Sequence, residues 1–80
     1  MADNIRQSLK KRSFTIAGHR TSVALEPEFW SVLEAEAVRA GQALSAFVAG
    51  IDAARGLRPL ASALRLAALD SSLQREREPG

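Results

Sequence analysis

GHRTSVALEPEFWSVLEAEAVRAGQALSAFV, residues 18–48, is the stretch that decides the fold. Residues 19–25 alternate: Thr21, Val23 and Leu25 share one parity, with Arg20, Ser22 and Ala24 between them. That period of two predicts a half-buried strand. Glu26-Pro27 ends it, because Pro fits the first helical position, where its missing N–H costs nothing. Glu26 and Glu28 place negative charge where a helix dipole favours it. Phe29, Leu33, Ala37 and Ala40 then recur at helical spacing with Trp30 beside them, and Gly41 is a natural stop. The spacing predicts a helix over about 27–40. Leu44, Phe47, Val48 and Ile51 form the stripe of a second helix, ending near Arg55 before Gly56. Ala43 stands where a Ser or Thr cap is expected, so this start is weakly signalled. Trp30 reads as core rather than as a partner surface.

Upstream, Phe14 and Ile16 share one face of a second alternating run, but their parity is opposite to that of Thr21, Val23 and Leu25. One continuous strand cannot present both sets on one side. Gly18 lies between them and marks a bulge, a break or a turn. Residues 1–12 carry no sustained apolar period and read as a flexible basic arm. Downstream, Leu60, Leu64, Leu66, Ala67, Leu69 and Leu73 cover a broad apolar face, predicting a third helix within 57–75. The charged end from Gln74 reads as fraying, with residues 76–80 as tail. The expected division is therefore arm 1–12, core 13–56, C-terminal helix 57–75 and tail 76–80.

Eighty residues make one domain at most. A core of this size rarely supplies more than about 3–5 kcal/mol, so self-association is expected. The absence of cysteine removes disulfides, and with a single histidine it argues against a zinc cluster. No apolar run approaches the roughly 20 residues of a membrane helix, and the polar start lacks the centre of a secretory signal. The expectation is a cytoplasmic protein with no cofactor and no metal. Catalysis is not expected, since no Gly-rich phosphate loop, nucleophile elbow or spaced acid pair occurs. The charge is uneven. Residues 1–25 hold five cations against one acid, whereas residues 26–80 hold six against eight. The basic end is the candidate anion-facing surface, and nucleic acid is the commonest such partner.

A single short strand has two unpaired edges and cannot form a sheet alone. It needs a partner, and an identical chain is the nearest. Two-fold pairing would place a β-ribbon on four helices, an architecture known among proteins that read the major groove with strands.

The run Thr21–Trp30, then Leu33, Ala37, Gly41 and Leu44–Val48, resembles a ribbon-helix-helix domain of the Arc/MetJ type. Gly18–Ser22 and Glu26–Trp30 in particular resemble a small bacterial subgroup with an extra C-terminal helix. The resemblance implies a mainly α fold with one short strand, an intertwined homodimer whose core is Val23, Leu25, Phe29, Leu33, Phe47, Val48 and Ile51. It implies a transcriptional regulator whose base contacts are Arg20, Ser22 and Ala24. Phosphate contacts would come from Lys10, Lys11, Arg12 and His19, and from the second-helix start at Ala43, Leu44 and Ser45. Arg suits guanine, Ser either kind of base, and Ala a thymine methyl. The third helix, through Leu60, Leu64 and Leu69, would join copies into a tetramer or larger ring. Glu36 falls where the family prefers an aliphatic residue, so pairing with an Arg of the third helix or of another subunit is expected. The alternative function is an oligomeric interaction module with weak or no DNA binding, serving a partner protein.

Overall fold

The computed structural model describes residues 8–77. Two strands, β1 (Lys10–Ile16) and β2 (His19–Leu25), are followed by helices α1 (Pro27–Arg39), α2 (Leu44–Ala54) and α3 (Leu60–Arg77). The order ribbon, helix, helix and extra C-terminal helix is the predicted one. The number of strands is not. β1 and β2 pair antiparallel within the one chain, so the partner strand is supplied in cis.

The turn explains both the pairing and the parity puzzle. Ala17 (φ 53°) and Gly18 (φ 83°) are both left-handed, which is the two-residue type I′ hairpin turn. Across it, Phe14 pairs with Thr21 and Arg12 with Val23. Even-numbered residues of β1 therefore share a face with odd-numbered residues of β2. Phe14, Ile16, Val23 and Leu25 all become buried on that inner face. The same pairing places Lys10, Lys11 and Arg12 in β1 rather than in an arm. Of the predicted arm, residues 1–7 lie outside the described residues.

The inner face rests on three helices. Leu33 of α1, Val48 of α2 and Leu64 of α3 are each fully buried beneath it, with Trp30 and Ala68 in the same cluster. Trp30 sits 6.0 Å from the Phe14 ring, and its Nε1–H donates to the Lys10 carbonyl at 2.8 Å. A buried indole is thus fully used: its rings pack and its one donor is satisfied.

The helix ends follow local chemistry. α1 begins with Pro27 at its first position and no side-chain cap. It ends in a Schellman motif: Gly41 N–H donates to the Val38 carbonyl (3.0 Å) and Gln42 N–H to that of Ala37 (2.9 Å), with Gly41 at φ 70°. α3, rich in Ala and Leu, starts after Pro59 and continues through Arg77, so Gln74–Arg77 are helical rather than frayed. Residues 78–80 lie outside the described residues.

α3 is integral to the core. Leu64 at 0% exposure is inside this chain and unavailable as a surface for another copy, while Leu60 is half-buried against the core and Leu69 is half exposed. Val23, Leu25, Leu33 and Val48, expected between two chains, are likewise buried within one; Phe29, Phe47 and Ile51 pack half-buried around them. The cis hairpin contributes Phe14, Ile16, Val23 and Leu25 to the same cluster.

Arg65 of α3 reaches back to the strand–helix joint. Its Nε donates to Glu26 Oε1 at 3.0 Å and its Nη2 to Oε2 at 3.3 Å, and its guanidinium lies 5.9 Å from the centre of the Phe29 ring. The Arg65 hydrogen bonds are the main cause that lowers the Glu26 pKa below the usual carboxylate value. Glu36, in contrast, is met by Arg39 of its own helix, one turn on, at 3.8 Å.

Candidate nucleic-acid interface

The hairpin divides its residues between two faces. The inner face is spent on the core. The outer face carries Lys11, Ser13 and Thr15 from β1 and Arg20, Ser22 and Ala24 from β2, in three cross-strand pairs: Lys11–Ala24, Ser13–Ser22 and Thr15–Arg20. All are exposed except Ala24, which is half-buried. No acidic residue occurs between Lys10 and Leu25. The face is therefore cationic and rich in hydrogen-bonding groups.

Its side chains are already connected. The Ser13 and Ser22 hydroxyls lie 2.8 Å apart, one donating to the other. Arg20 Nη1 donates to Thr15 Oγ1 at 3.4 Å, a long bond that leaves most of the guanidinium donors open. A type I′ turn matches strand twist and keeps these cross-strand partners opposite one another.

The three predicted base contacts, Arg20, Ser22 and Ala24, are brought together on this face. The predicted phosphate contacts are dispersed. Lys11 lies on the outer face. Lys10 and Arg12 have the inner parity, pairing with Leu25 and Val23. Arg12 stacks 5.3 Å from the centre of the Trp30 ring, and its Nη2 lies 2.6 Å from Glu34 Oε2. Its charge is engaged with α1 rather than offered to the outer face. His19 closes the ribbon tip, exposed, opposite Ile16. At the start of α2, Ala43 and Ser45 are exposed while Leu44 turns into the core; Ala43 provides no side-chain cap. Ser13 and Thr15 are the outer-face residues that the alternation of residues 19–25 does not reveal. The parity switch across Ala17-Gly18 is the signal that contains them.

Among the described residues, no group of three or more His, Cys, Asp or Glu could hold a metal ion. No described helix is long and apolar enough to cross a membrane. α2, α3 and the segment between them leave an open groove lined by Ile51, Ala54, Arg55, Arg58, Ala63, Leu66 and Ala67.

The ribbon-helix-helix domain model matches residues 9–72, and the chain belongs to that family. No curated protein and no solved structure matches it.

Proposed function

We propose that this ribbon-helix-helix chain is a transcriptional regulator that binds duplex DNA as a homodimer, with the outer face of the ribbon in the major groove. Ribbon-helix-helix domains are typically DNA-binding transcription regulators. The observation that carries the reading for this chain is the outer face itself: acid-free, exposed and built of Lys11, Ser22 and Arg20 around a small Ala24. A two-stranded ribbon fits the major groove, which is about 12 Å wide.

The roles follow from side-chain chemistry. Arg20 has a fork of donors that matches guanine O6 and N7. Ser22 donates to or accepts from either kind of base, and Ala24 packs on a thymine methyl. Lys11, Lys10, His19 and the first-turn amides of α2 at Ala43, Leu44 and Ser45 are assigned to phosphates, the chemistry that cations and helix-start N–H groups suit. Arg12 has a supporting role, pinning β1 to α1 through Trp30 and Glu34.

The test is binding to a pool of duplexes with a randomised centre, followed by titrations at two salt concentrations. Arg20→Ala should cost about 1–3 kcal/mol and relax the preference at one base position. Lys11→Ala should weaken binding to all sequences alike and reduce the salt slope by about 1. Unaltered selection and affinity in both variants would sink the reading.

A second reading has its own observation. Leu66, Leu69 and Leu73 of α3 stand about half exposed at i, i+3 and i+7, and Leu66 lines the α2–α3 groove. A face of that kind suits association with another copy or with a partner protein. An oligomer that ignores duplex even at low salt would favour an interaction module with the same fold.

A further inference from the structure

We propose that the groove between α2 and α3 is a binding site for a small amphipathic acid, an alkyl monocarboxylate. The site is separate from the outer face of the hairpin and does not depend on the DNA-binding reading. The open groove measures about 400 Å³. Small-molecule sites occupy about 300–1,000 Å³ and are mostly apolar, with a few placed polar groups. This groove has that composition. Ile51 and Ala54 of α2, with Ala63, Leu66 and Ala67 of α3, supply the apolar lining. Three of these five are alanines, whose short side chains leave room between the helices.

The polar lining consists of two arginines, and no acid lines the groove. Both arginines belong to the connection that follows α2, so the charge is gathered in one place. Arg55 is anchored there. Its Nε donates to Asp52 Oδ1 at 2.6 Å, and its Nη1 donates to the Arg58 carbonyl at 2.7 Å. Two of its five N–H donors are used and three remain. An anchored guanidinium loses little freedom when an anion arrives. Arg58 is exposed, and its side chain has no hydrogen bond or ion pair among the described residues. Asp52 offsets one of the two cations, which leaves one net positive charge. That balance fits a monoanion, and the planar fork of Arg fits a carboxylate. A carboxylic acid is ionised at neutral pH. Its alkyl chain would lie on the alanines and Leu66, removing apolar surface from water on both sides.

The probe is decanoate, kept below its micelle-forming concentration and titrated into the full chain with calorimetry and methyl NMR as readouts. Binding should saturate, with shifts confined to the methyls of Ile51, Ala54, Ala63, Leu66 and Ala67. Butyrate has the same carboxylate on a short chain, and decyltrimethylammonium has the same chain with the opposite charge. Both should bind more weakly than decanoate. Arg58→Ala should weaken decanoate about tenfold, the loss expected of one charged hydrogen bond. It keeps the backbone carbonyl that holds Arg55, so melting should stay near wild type. Arg58→Lys retains the charge and should bind better than Arg58→Ala. Ala54→Leu, at an exposed position, fills the groove and should remove saturable binding while the chain stays folded.

Saturable decanoate binding with this dependence on charge and chain length supports the site. Equal binding of decanoate and decyltrimethylammonium, unaltered affinity in Arg58→Ala and Ala54→Leu, or absence of saturation each overturns it. Groove methyl shifts that follow protein concentration and not decanoate give the groove to a second copy, and that result overturns it too.

Discussion

Ala17 is the residue on which the hairpin turns, and it is poorly suited to its conformation. With φ 53° it carries a Cβ in the left-handed region, which costs an L-residue about 1–2 kcal/mol. Asn-Gly is among the preferred pairs for this turn type. Ala17→Asn should therefore stabilise the protein by about 1 kcal/mol and raise the melting temperature by roughly 4–8 °C. Thermal denaturation followed by circular dichroism measures this directly, and an unchanged or lower Tm would count against a strained turn. The same residue explains why β1 is hidden in the sequence. Ala-Gly is not a turn signal of the Asn-Gly kind, so Gly18 alone reads equally as bulge, break or turn. Arg12 adds to the concealment. It occupies an inner-face position by laying its apolar stem and guanidinium over Trp30. Long cations of that kind look solvated in a sequence while covering apolar surface in a fold.

At the scale of elements, α3 is held by burial and by the Glu26–Arg65 ion pair, and each makes a prediction. Leu64 is fully enclosed, so Leu64→Ala should destabilise by about 2–5 kcal/mol. A urea titration with unchanged m and lowered midpoint would show it. Deleting the helix to test self-association would instead unfold the core it completes. The Glu26–Arg65 pair ties α3 to the start of α1, and Glu26 has a lowered pKa in the folded state. A depressed carboxylate pKa contributes stability above the unfolded value, about 4.3 for Glu, and loses it as pH falls through the folded value. Glu26→Gln should thus lower Tm at neutral pH, and the gap to wild type should shrink on acidification below about pH 4. A gap independent of pH would assign the effect to packing. The helix boundaries were legible because Pro27, Gly41 and Gly56 punctuate them. Which leucines of α3 face inward was not. Leu60, Leu64, Leu66, Leu69 and Leu73 surround much of the helix, and spacing alone does not distinguish the buried Leu64 from the exposed Leu69.

At the scale of the whole molecule, the proposed function gives the hairpin and α3 different tasks. Each chain carries a two-stranded hairpin, on which the proposed DNA reading rests. Association then has its own surface, for which the exposed Leu66, Leu69 and Leu73 of α3 are placed away from the buried core positions. That Arg20, Ser22 and Ala24 share one face was legible from the alternation of residues 19–25; the second half of the outer face was not, because it depends on a turn that joins two sets of opposite parity. The separation has a measurable consequence. Leu69→Glu introduces a charge at a half-exposed position and should leave the melting of the fold near wild type. It should lower the mass found by light scattering from that of a dimer to that of a single chain. If the tasks are separate, the variant still binds duplex, with its base preference intact over one half-site rather than two. Its affinity should fall because the second ribbon no longer binds at raised effective concentration. Two ribbons joined through α3 predict half-sites about one helical turn apart, related by a dyad. Loss of base preference together with loss of mass would mean that the ribbon itself is completed only between copies. An unchanged mass would move the association surface from α3 to the free edge of β2.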